Sequence, residues 1–310
     1  MPSPKLKSRY IPLPLDKPTP TLEDLKEPNS TKWQKIASAL IHDVQVVLSA
    51  AESSSVSKRD SLYVGLSGQV KVGWTNFRLT NLLTGIAFMG YHLARMSGLS
   101  LHSPVLSPSS LTTVADTFLA RVLREYPTMI NVDPAAIYSP NQMSFMESRI
   151  GVATLILSWG HSSSHNTISG NWHAAKDYLN YALEKAVTKL DHVVGATSAL
   201  DGDQGDGQCE VLYGRAGLLY ALLYLRMSVH AHSKEQRDEL EGELETLLSD
   251  IALTRLVDSI IERGKFGVRV LSSEPGALHD ADPGDLPPLM WRWYGRRYLG
   301  AAHGVGECRQ

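Results

Sequence analysis

The chain has 310 residues, of which 43% are hydrophobic and 20% are charged, and its formal net charge is −2. This composition is typical of a soluble globular protein and is sufficient for one large domain or two smaller ones. A charge this close to zero excludes the strongly basic surface that recruits nucleic acid or anionic lipid. The sequence has only two cysteines, Cys209 and Cys308. A disulfide framework is therefore not expected, and reduced thiols in the cytosol are.

The first 30 residues contain seven of the 16 prolines and predict an extended leader. This leader lacks the apolar core of a secretion signal. The longest apolar run, at 218–225, is too short to cross a bilayer. Helical spacing begins after the leader, because residues 33–51 carry an apolar stripe made of Ile36, Leu40, Val44 and Val47. We therefore separate a leader (1–30) from a helical domain (31–310).

Further helices are predicted in chain order at 79–96, 111–126, 144–159, 172–190 and 215–227. A capping box at 233–236, in which Ser233 caps and Gln236 reaches back, opens another helix. That helix is expected to run to residue 261, with Gly264 as its C-cap. Residues 265–271 are the best candidate for a strand. The predicted fold class is all-α.

Glycine pairs precede three apolar segments, at 63–68, 212–217 and 301–306. A weaker copy at 147–153 has Ser148 in the place of the first glycine. Glycine permits close backbone approach, and helices that are apolar nearly all round are typically buried. The pattern predicts an inner layer of buried helices wrapped by amphipathic outer helices. Chance occurrence of glycine at helix starts is the alternative.

Two blocks, at 209–226 and 288–304, resemble the eukaryotic LanC-like proteins, relatives of bacterial lanthionine synthetase C. The resemblance is strongest in Tyr-Gly-Arg-Ala-Gly-x-x-Tyr-Ala-Leu-Leu and in Gly-Ala-Ala-His-Gly. It implies an α/α toroid, a double ring of six or seven helical hairpins with glycine-led inner helices.

The reaction that the resemblance implies is thioether formation, in which glutathione or a peptide cysteine adds to a dehydroamino acid. Zinc stabilises the thiolate in such a reaction, and an acid or base moves the protons. The implied partners are therefore glutathione, or a thiol and a dehydroamino-acid peptide.

Two candidate catalytic residues follow from the resemblance. His303 matches the histidine of the Gly-x-x-His-Gly motif and is a candidate acid or base, although a single histidine before glycine is more often a packed or capping residue. Glu210 precedes Gly214 by four residues, at a place where the bacterial cyclases carry an aspartate. Its carboxylate is expected to hydrogen-bond the imidazole. An acid stabilised by the helix dipole is an equally good interpretation.

Three further residues, Tyr213, Arg215 and Arg297, are candidates for substrate binding. Arg215 has the geometry to clamp a carboxylate or phosphate through two parallel hydrogen bonds, and a structural ion pair is at least as good an interpretation. Arg297 belongs to a cluster of arginines and aromatic residues at 291–298, whose spacing fits a helix leading into the histidine turn. Packing is the first interpretation of that cluster, contact with a substrate carboxylate the second, and single-stranded nucleic acid a distant third.

The zinc ligands that the resemblance implies are absent from this sequence. They belong to a Cys-x-Gly block and a Cys-His-Gly block after the Ala-His-Gly motif, and Cys209 and Cys308 lie in neither. We therefore assign no metal ligands and no cofactor to this chain, and expect zinc only in a full-length relative. The expected product is a ring truncated at its C-terminus, with impaired activity, open apolar faces and poor solubility.

Two other functions stay open. One is a non-catalytic scaffold that binds glutathione or a peptide, or that acts in signalling at the periphery of the plasma membrane. The other is a carbohydrate enzyme of the same architecture, which needs two carboxylates facing each other across a cleft. No such pair is assigned, and no nucleic-acid partner is expected. The predicted location is the cytoplasm, with peripheral attachment to the plasma membrane as the alternative.

Overall fold

The computed structural model describes residues 75–95, 107–138, 148–161, 165–188, 214–273 and 287–293, and the single residues Ser38, His42, Met143, Phe145, Ser163, Cys209, Arg296 and Arg297. The predicted leader, the glycine blocks at 63–68 and 301–306, and most of the predicted helix at 33–51 lie outside the described residues. Ser38 and His42 are helical and exposed, as expected for the polar face of that helix.

Helices make up most of the described chain, which confirms the all-α class. The longer ones are α1 (Thr75–Ala94), α2 (Pro108–Glu125), α4 (Arg149–Trp159), α6 (Trp172–Ala186), α7 (Arg215–His230), α8 (Lys234–Glu243) and α10 (Asp250–Ser273). Short turns of helix lie between them, namely the 3₁₀ turn Pro127–Met129, α3 (Pro134–Ile137), α5 (Asn166–Ser169) and α9 (Glu245–Leu248). Strands β1 (Arg292–Trp293) and β2 (Arg296–Arg297) pair antiparallel.

The long helices pack as three pairs, α1 with α2, α4 with α6, and α7 with α10. Helix α4 contacts both α1 and α7, and its residues 150–158 are all buried. Helices α2 and α6 bury one face each and expose the other. The described pairs therefore have the predicted inner layer (α1, α4, α7) and outer layer (α2, α6, α10).

Both described copies of the glycine block open an inner helix. At α4, Ser148 is the N-cap, and its Oγ accepts a hydrogen bond from the backbone N–H of Ile150 at 3.1 Å. A Cβ at Gly151 would overlap the carbonyl oxygen of Phe145, so the second position of the block requires glycine here. Gly214 is the N-cap of α7. The block therefore marks where an inner helix begins.

Helix α10 is longer than predicted, which corrects two expectations. It continues through Gly264, the predicted C-cap, and it contains residues 265–271, the predicted strand. Gly264 and Gly267 are three residues apart and share one face of the helix. The backbone N–H of Met290 donates to the carbonyl of Gly264 at 2.9 Å, and a Cβ at Gly267 would overlap the carbonyl of Met290. These glycines therefore admit a neighbouring chain segment and do not end the helix.

The arginine-aromatic segment is a hairpin and not the predicted helix. Residues Arg292 and Trp293 pair with Arg297 and Arg296. Just before them, the indole Nε1–H of Trp291 donates to the carbonyl of Ile260 on α10 at 3.0 Å. Packing on α10 thus holds the start of this segment in an extended conformation.

The capping box at Ser233 is present, but the helix that follows it is interrupted. The backbone N–H of Gln236 donates to Ser233 Oγ at 3.5 Å, and α8 begins at the next residue, Lys234. The sequence predicts one helix from this point, whereas the structure has α8, α9 and α10. Ser249 separates the last two, and its Oγ accepts from the backbone N–H of Ala252 at 3.3 Å.

A buried carboxylate links the first pair of helices to the loop after α4. Asp116, on α2, is 5% exposed. It accepts hydrogen bonds from the hydroxyl of Tyr91 at 2.5 Å and from the hydroxyl of Ser163 at 3.0 Å. The Tyr91 ring stacks on Trp159 with 4.4 Å between the centroids. The two hydroxyl donors satisfy the buried acid, which would otherwise be costly to desolvate.

Arg95 connects the C-terminal ends of the three inner helices. It directly follows α1, its guanidinium lies 4.4 Å from the ring centroid of Trp159 at the end of α4, and it donates to Ser228 Oγ in the last turn of α7 at 2.9 Å. The negative ends of the helix dipoles favour a cation at this place.

Helix α7 exposes part of its apolar surface, although its composition predicts burial nearly all round. Tyr220, Leu223 and Met227 are 47%, 48% and 56% exposed. Their spacing places them on one face, and we call these three residues the α7 stripe. Leu218, Leu222 and Leu225 on the same helix are fully buried.

Candidate functional site

The structure describes two of the five predicted site residues. His303, Glu210 and Tyr213 lie outside the described residues, so their roles stay predictions. Arg297 lies on β2, where its backbone pairs with Arg292. Arg215 is the first residue of α7. The candidate site is therefore built outward from Arg215.

Arg215 is a buried cation, 5% exposed, at the N-terminal end of an inner helix. Its Nε–H donates to the carbonyl of Ala186, the last residue of α6, at 2.9 Å. Ser259 on α10 donates its hydroxyl to the same carbonyl at 2.7 Å. Arg215 therefore joins the start of α7 to the end of α6, and the shared carbonyl links both to the interior of α10, which is a structural role beside the predicted contact with a substrate.

Arg149 occupies the same place on α4, and the sequence analysis missed it. It is the first residue of α4, and its Nη1–H donates to the carbonyl of Ile137, the last residue of α3, at 2.7 Å. The signal was available in the sequence, since Ser-Arg-x-Gly at 148–151 parallels Gly-Arg-x-Gly at 214–217. In both copies an arginine at the positive end of an inner helix caps the last carbonyl of another helix.

Tyr138 lies beside these arginines at the C-cap of α3. Its hydroxyl donates to the sulfur of Met143 at 3.4 Å, and its ring packs edge-on against Tyr181 at 5.5 Å. Burial raises the pKa of Tyr138 above its usual range, and the charges of Arg215 and Arg263 oppose that rise.

Tyr178 on α6 is the second phenol of the site and is 2% exposed. Burial raises the pKa of Tyr178 to about 12, and the charge of Arg149 opposes this shift. Both phenols therefore stay protonated at neutral pH. They are available as hydrogen-bond donors and do not act as bases.

Arg263 is the second buried arginine of this region, after Arg215, and was not singled out from the sequence. It lies on α10, one turn after Ser259, and is 6% exposed. Its charge acts on Tyr138 together with that of Arg215. Guanidinium groups and neutral phenols together form a set of donors that suits an anionic ligand.

The described residues do not fit the zinc site that thioether chemistry implies. Cys209 is buried and forms no disulfide. Across the described part of the chain, no three histidine, cysteine, aspartate or glutamate side chains come together as a metal site requires. No reaction step through zinc is derived for these residues. In the same ranges, none of the helices has both the length and the hydropathy of a membrane span.

Comparison with known proteins agrees with this fold. The family model described as lanthionine synthetase C-like protein matches residues 73–307. A curated relative, glutathione S-transferase LANCL1 from Danio rerio, is 29% identical over 104 residues, which are 33% of this chain and 20% of the relative. The matched part thus spans about a fifth of that relative's length. No solved structure matches the chain. Since the family match extends over most of its length, the chain belongs to the lanthionine synthetase C-like protein family.

Proposed function

We propose that this chain binds glutathione or a related peptide thiol at the N-terminal ends of α4 and α7, and that it does not form thioethers by itself. Family membership supports the thiol chemistry. The name of the matched relative, a glutathione S-transferase, supports the class of ligand. The two cysteines, too few for a disulfide framework, support a cytosolic location, where glutathione is reduced.

The observation that carries this proposal is the position of Arg215. It belongs to the block of strongest family resemblance, and it lies buried and charged at the positive end of an inner helix. A peptide thiol such as glutathione carries carboxylates, which guanidinium groups bind through charge-assisted hydrogen bonds. The predicted acid or base, His303, and the predicted carboxylate, Glu210, would act on the thiol held at this end.

The second half of the proposal, the lack of thioether formation, follows from which side chains are available to hold a metal ion. A thiol becomes a strong nucleophile only as a thiolate, and zinc is the agent that the family reaction uses to stabilise it. This sequence has neither the Cys-x-Gly nor the Cys-His-Gly block. We therefore expect the described residues, which bring no metal site together, to bind the thiol without converting it to a thioether.

Calorimetry and a thioether assay on the full chain test both halves. We expect glutathione to bind, and Arg215→Gln to weaken this binding by about tenfold or more, the loss of one charge-assisted hydrogen bond. The control is Arg124→Gln, because Arg124 is an exposed arginine on α2. We also expect less than one zinc per chain by elemental analysis, and no product from glutathione and a dehydrobutyrine peptide. Failure to bind glutathione contradicts the first half, and stoichiometric zinc with product formation contradicts the second.

A further inference from the structure

The α7 stripe has the residue spacing of a contact between two helices. Tyr220, Leu223 and Met227 are separated by three and four residues. Ala216, four residues before the stripe, and His230, three residues after it, continue the same spacing to the ends of the helix. Alternating steps of three and four residues keep one line of side chains facing a partner helix, as in coiled coils. Leu223 lies at the middle of this line.

The stripe is also the main apolar surface that the described part of the chain exposes. Four large apolar side chains are exposed there, and three of them form the stripe, whereas the fourth, Ile251, lies near the start of α10. The Tyr220 ring is held in place by Phe145, against which it packs edge-on with 5.3 Å between the centroids. Apolar patches of this kind mark protein–protein contacts.

The basic side chains in the second half of α7 are already paired within the chain. Arg226 Nη1 lies 2.6 Å from Asp250 Oδ1, and His230 Nε2 lies 3.2 Å from Glu241 Oε1. Two copies of this surface therefore meet without repulsion from these groups. The same pairing leaves little net charge beside the stripe for a strongly acidic or basic partner to recognise. The charges thus favour a second copy of this chain as the partner.

We propose that the α7 stripe is the centre of a homodimer interface, in which α7 packs antiparallel against α7 of a second copy about a two-fold axis at Leu223. This inference goes beyond the proposed function and does not rest on it. In the dimer, Leu223 meets Leu223 of the second copy, and Tyr220 of each copy meets Met227 of the other. Contact between a methionine sulfur and an aromatic ring is favourable, and antiparallel helices place opposite dipole ends side by side.

The exposed area of the stripe sets the strength of this dimer. About half of one tyrosine, one leucine and one methionine amounts to roughly 200 Å² per copy. A stable interface buries about 800 Å² per partner, and only its central part is fully buried and strongly apolar. The stripe supplies such a centre, and we therefore expect a reversible dimer with a dissociation constant in the micromolar range.

Sedimentation velocity of the full chain, from low to high micromolar concentration, tests the dimer. The variant is Leu223→Arg, and the matched control is Ile251→Arg, because Ile251 is 74% exposed and lies outside the stripe. We expect the wild type and the control to change from monomer to dimer as the concentration rises. Leu223→Arg should raise the dissociation constant by about tenfold or more, because it brings two charges into an apolar contact.

Three results of this experiment overturn the proposal. A wild type that stays monomeric would mean that another segment of the chain, or a different partner, covers the stripe. A dimer that Leu223→Arg leaves unchanged would place the interface elsewhere. Association that Ile251→Arg weakens as much as Leu223→Arg does would be a general effect of exposed apolar surface.

Cysteine cross-linking identifies the pairing and guards against misfolding of Leu223→Arg. The variants Leu223→Cys, Met227→Cys and Tyr220→Cys are oxidised at a concentration at which the wild type is dimeric, and mass spectrometry distinguishes their links from those of Cys209 and Cys308. Antiparallel pairing predicts that Leu223→Cys links to itself and that Met227→Cys links to Tyr220→Cys when the two variants are mixed. Self-links of Met227→Cys would show parallel pairing and overturn the antiparallel arrangement. The absence of every link overturns the dimer.

Discussion

Arg215 is buried because its guanidinium, at the start of α7, donates a hydrogen bond to the end of α6. The carbonyl of Ala186 is the last of α6 and has no partner within its own helix, so a charged donor there is worth more than a neutral one. Arg149 repeats this arrangement at α3. An arginine that the family resemblance predicts to bind substrate thus also holds helices together, and a substitution of Arg215 must be tested for folding as well as for binding.

The buried phenols give the protein a specific dependence on alkaline pH. The pKa of Tyr178 is about 12 in the folded chain and 10.0 in an unperturbed tyrosine, so folding favours the protonated phenol. Its contribution to stability is complete below pH 10 and is lost as the pH rises toward 12, by about 2 kcal/mol. Tyr178→Phe cannot ionise and should unfold with a shallower decrease in stability across this range, measured by urea unfolding at pH 9 and pH 11.

The control for this prediction is Tyr220→Phe, since Tyr220 is 47% exposed whereas Tyr178 is 2% exposed. We expect this variant to keep the wild-type pH dependence. The same pH dependence in Tyr178→Phe and in the wild type would contradict the prediction. The decrease that should persist comes from other phenols whose pKa values burial also raises, namely Tyr91, Tyr138 and Tyr224.

At the scale of a helix, glycine has two different effects in this chain. In α10, Gly264 and Gly267 form a flat surface on which residues 289–291 lie, so the helix continues through both. In α8, Gly242 is exposed and has no atom within 4 Å of an added Cβ. Its only effect is the conformational freedom that glycine gives the unfolded chain.

Alanine at these two glycines should therefore change stability in opposite directions. Gly267→Ala overlaps the carbonyl of Met290, and we expect an overpacking cost of about 1–3 kcal/mol that exceeds the gain in helix propensity of about 1 kcal/mol. Gly242→Ala has no such overlap, so only the gain in helix propensity remains, and the free energy of unfolding should rise by about 0.5–1 kcal/mol. Thermal unfolding of both variants checks the signs. A more stable Gly267→Ala would show that the segment at 289–291 does not pack on α10 in solution.

At the scale of the whole molecule, the inner layer is not covered everywhere. The α7 stripe leaves three large apolar side chains about half exposed on a helix whose other faces are in the core. Burial of such side chains is worth roughly 1.5–3 kcal/mol each, so an uncovered stripe favours association with other apolar surfaces. Poor solubility therefore stays a prediction, and the stripe is the place to test it.

Replacing the stripe should improve solubility without a loss of fold. We expect the double variant Leu223→Gln and Met227→Gln to lower self-association and the binding of a hydrophobic dye, with an unfolding temperature near that of the wild type. Sedimentation and dye fluorescence measure the effect. The matched comparison is Leu222→Gln, one residue away and fully buried, which should destabilise the chain strongly. Unchanged association in the double variant would show that the stripe is covered in solution.

The local signals in the sequence determined the helical class, the positions of most helices and the start of α7, whereas α1 begins four residues before and α4 five residues after the predicted start. They act over a few residues: helical spacing in α2 and α6, the cap at Ser233, and the glycine blocks before α4 and α7. Arg215 was identified through the family resemblance of its block, which is short and distinctive. Helix ends were less accurate, since fraying and capping there depend on single hydrogen bonds.

Only the tertiary structure decided the features that depend on contacts distant in sequence. Gly264 has the residue type of a helix end, but Trp291 and Met290 pack on it, and this contact keeps α10 continuous and residues 291–293 extended. The hydrogen bond from Arg95 to Ser228, 133 positions away, likewise joins residues far apart in the sequence. Local propensity cannot encode such a meeting, because packing free energy between helices selects it after the helices have formed.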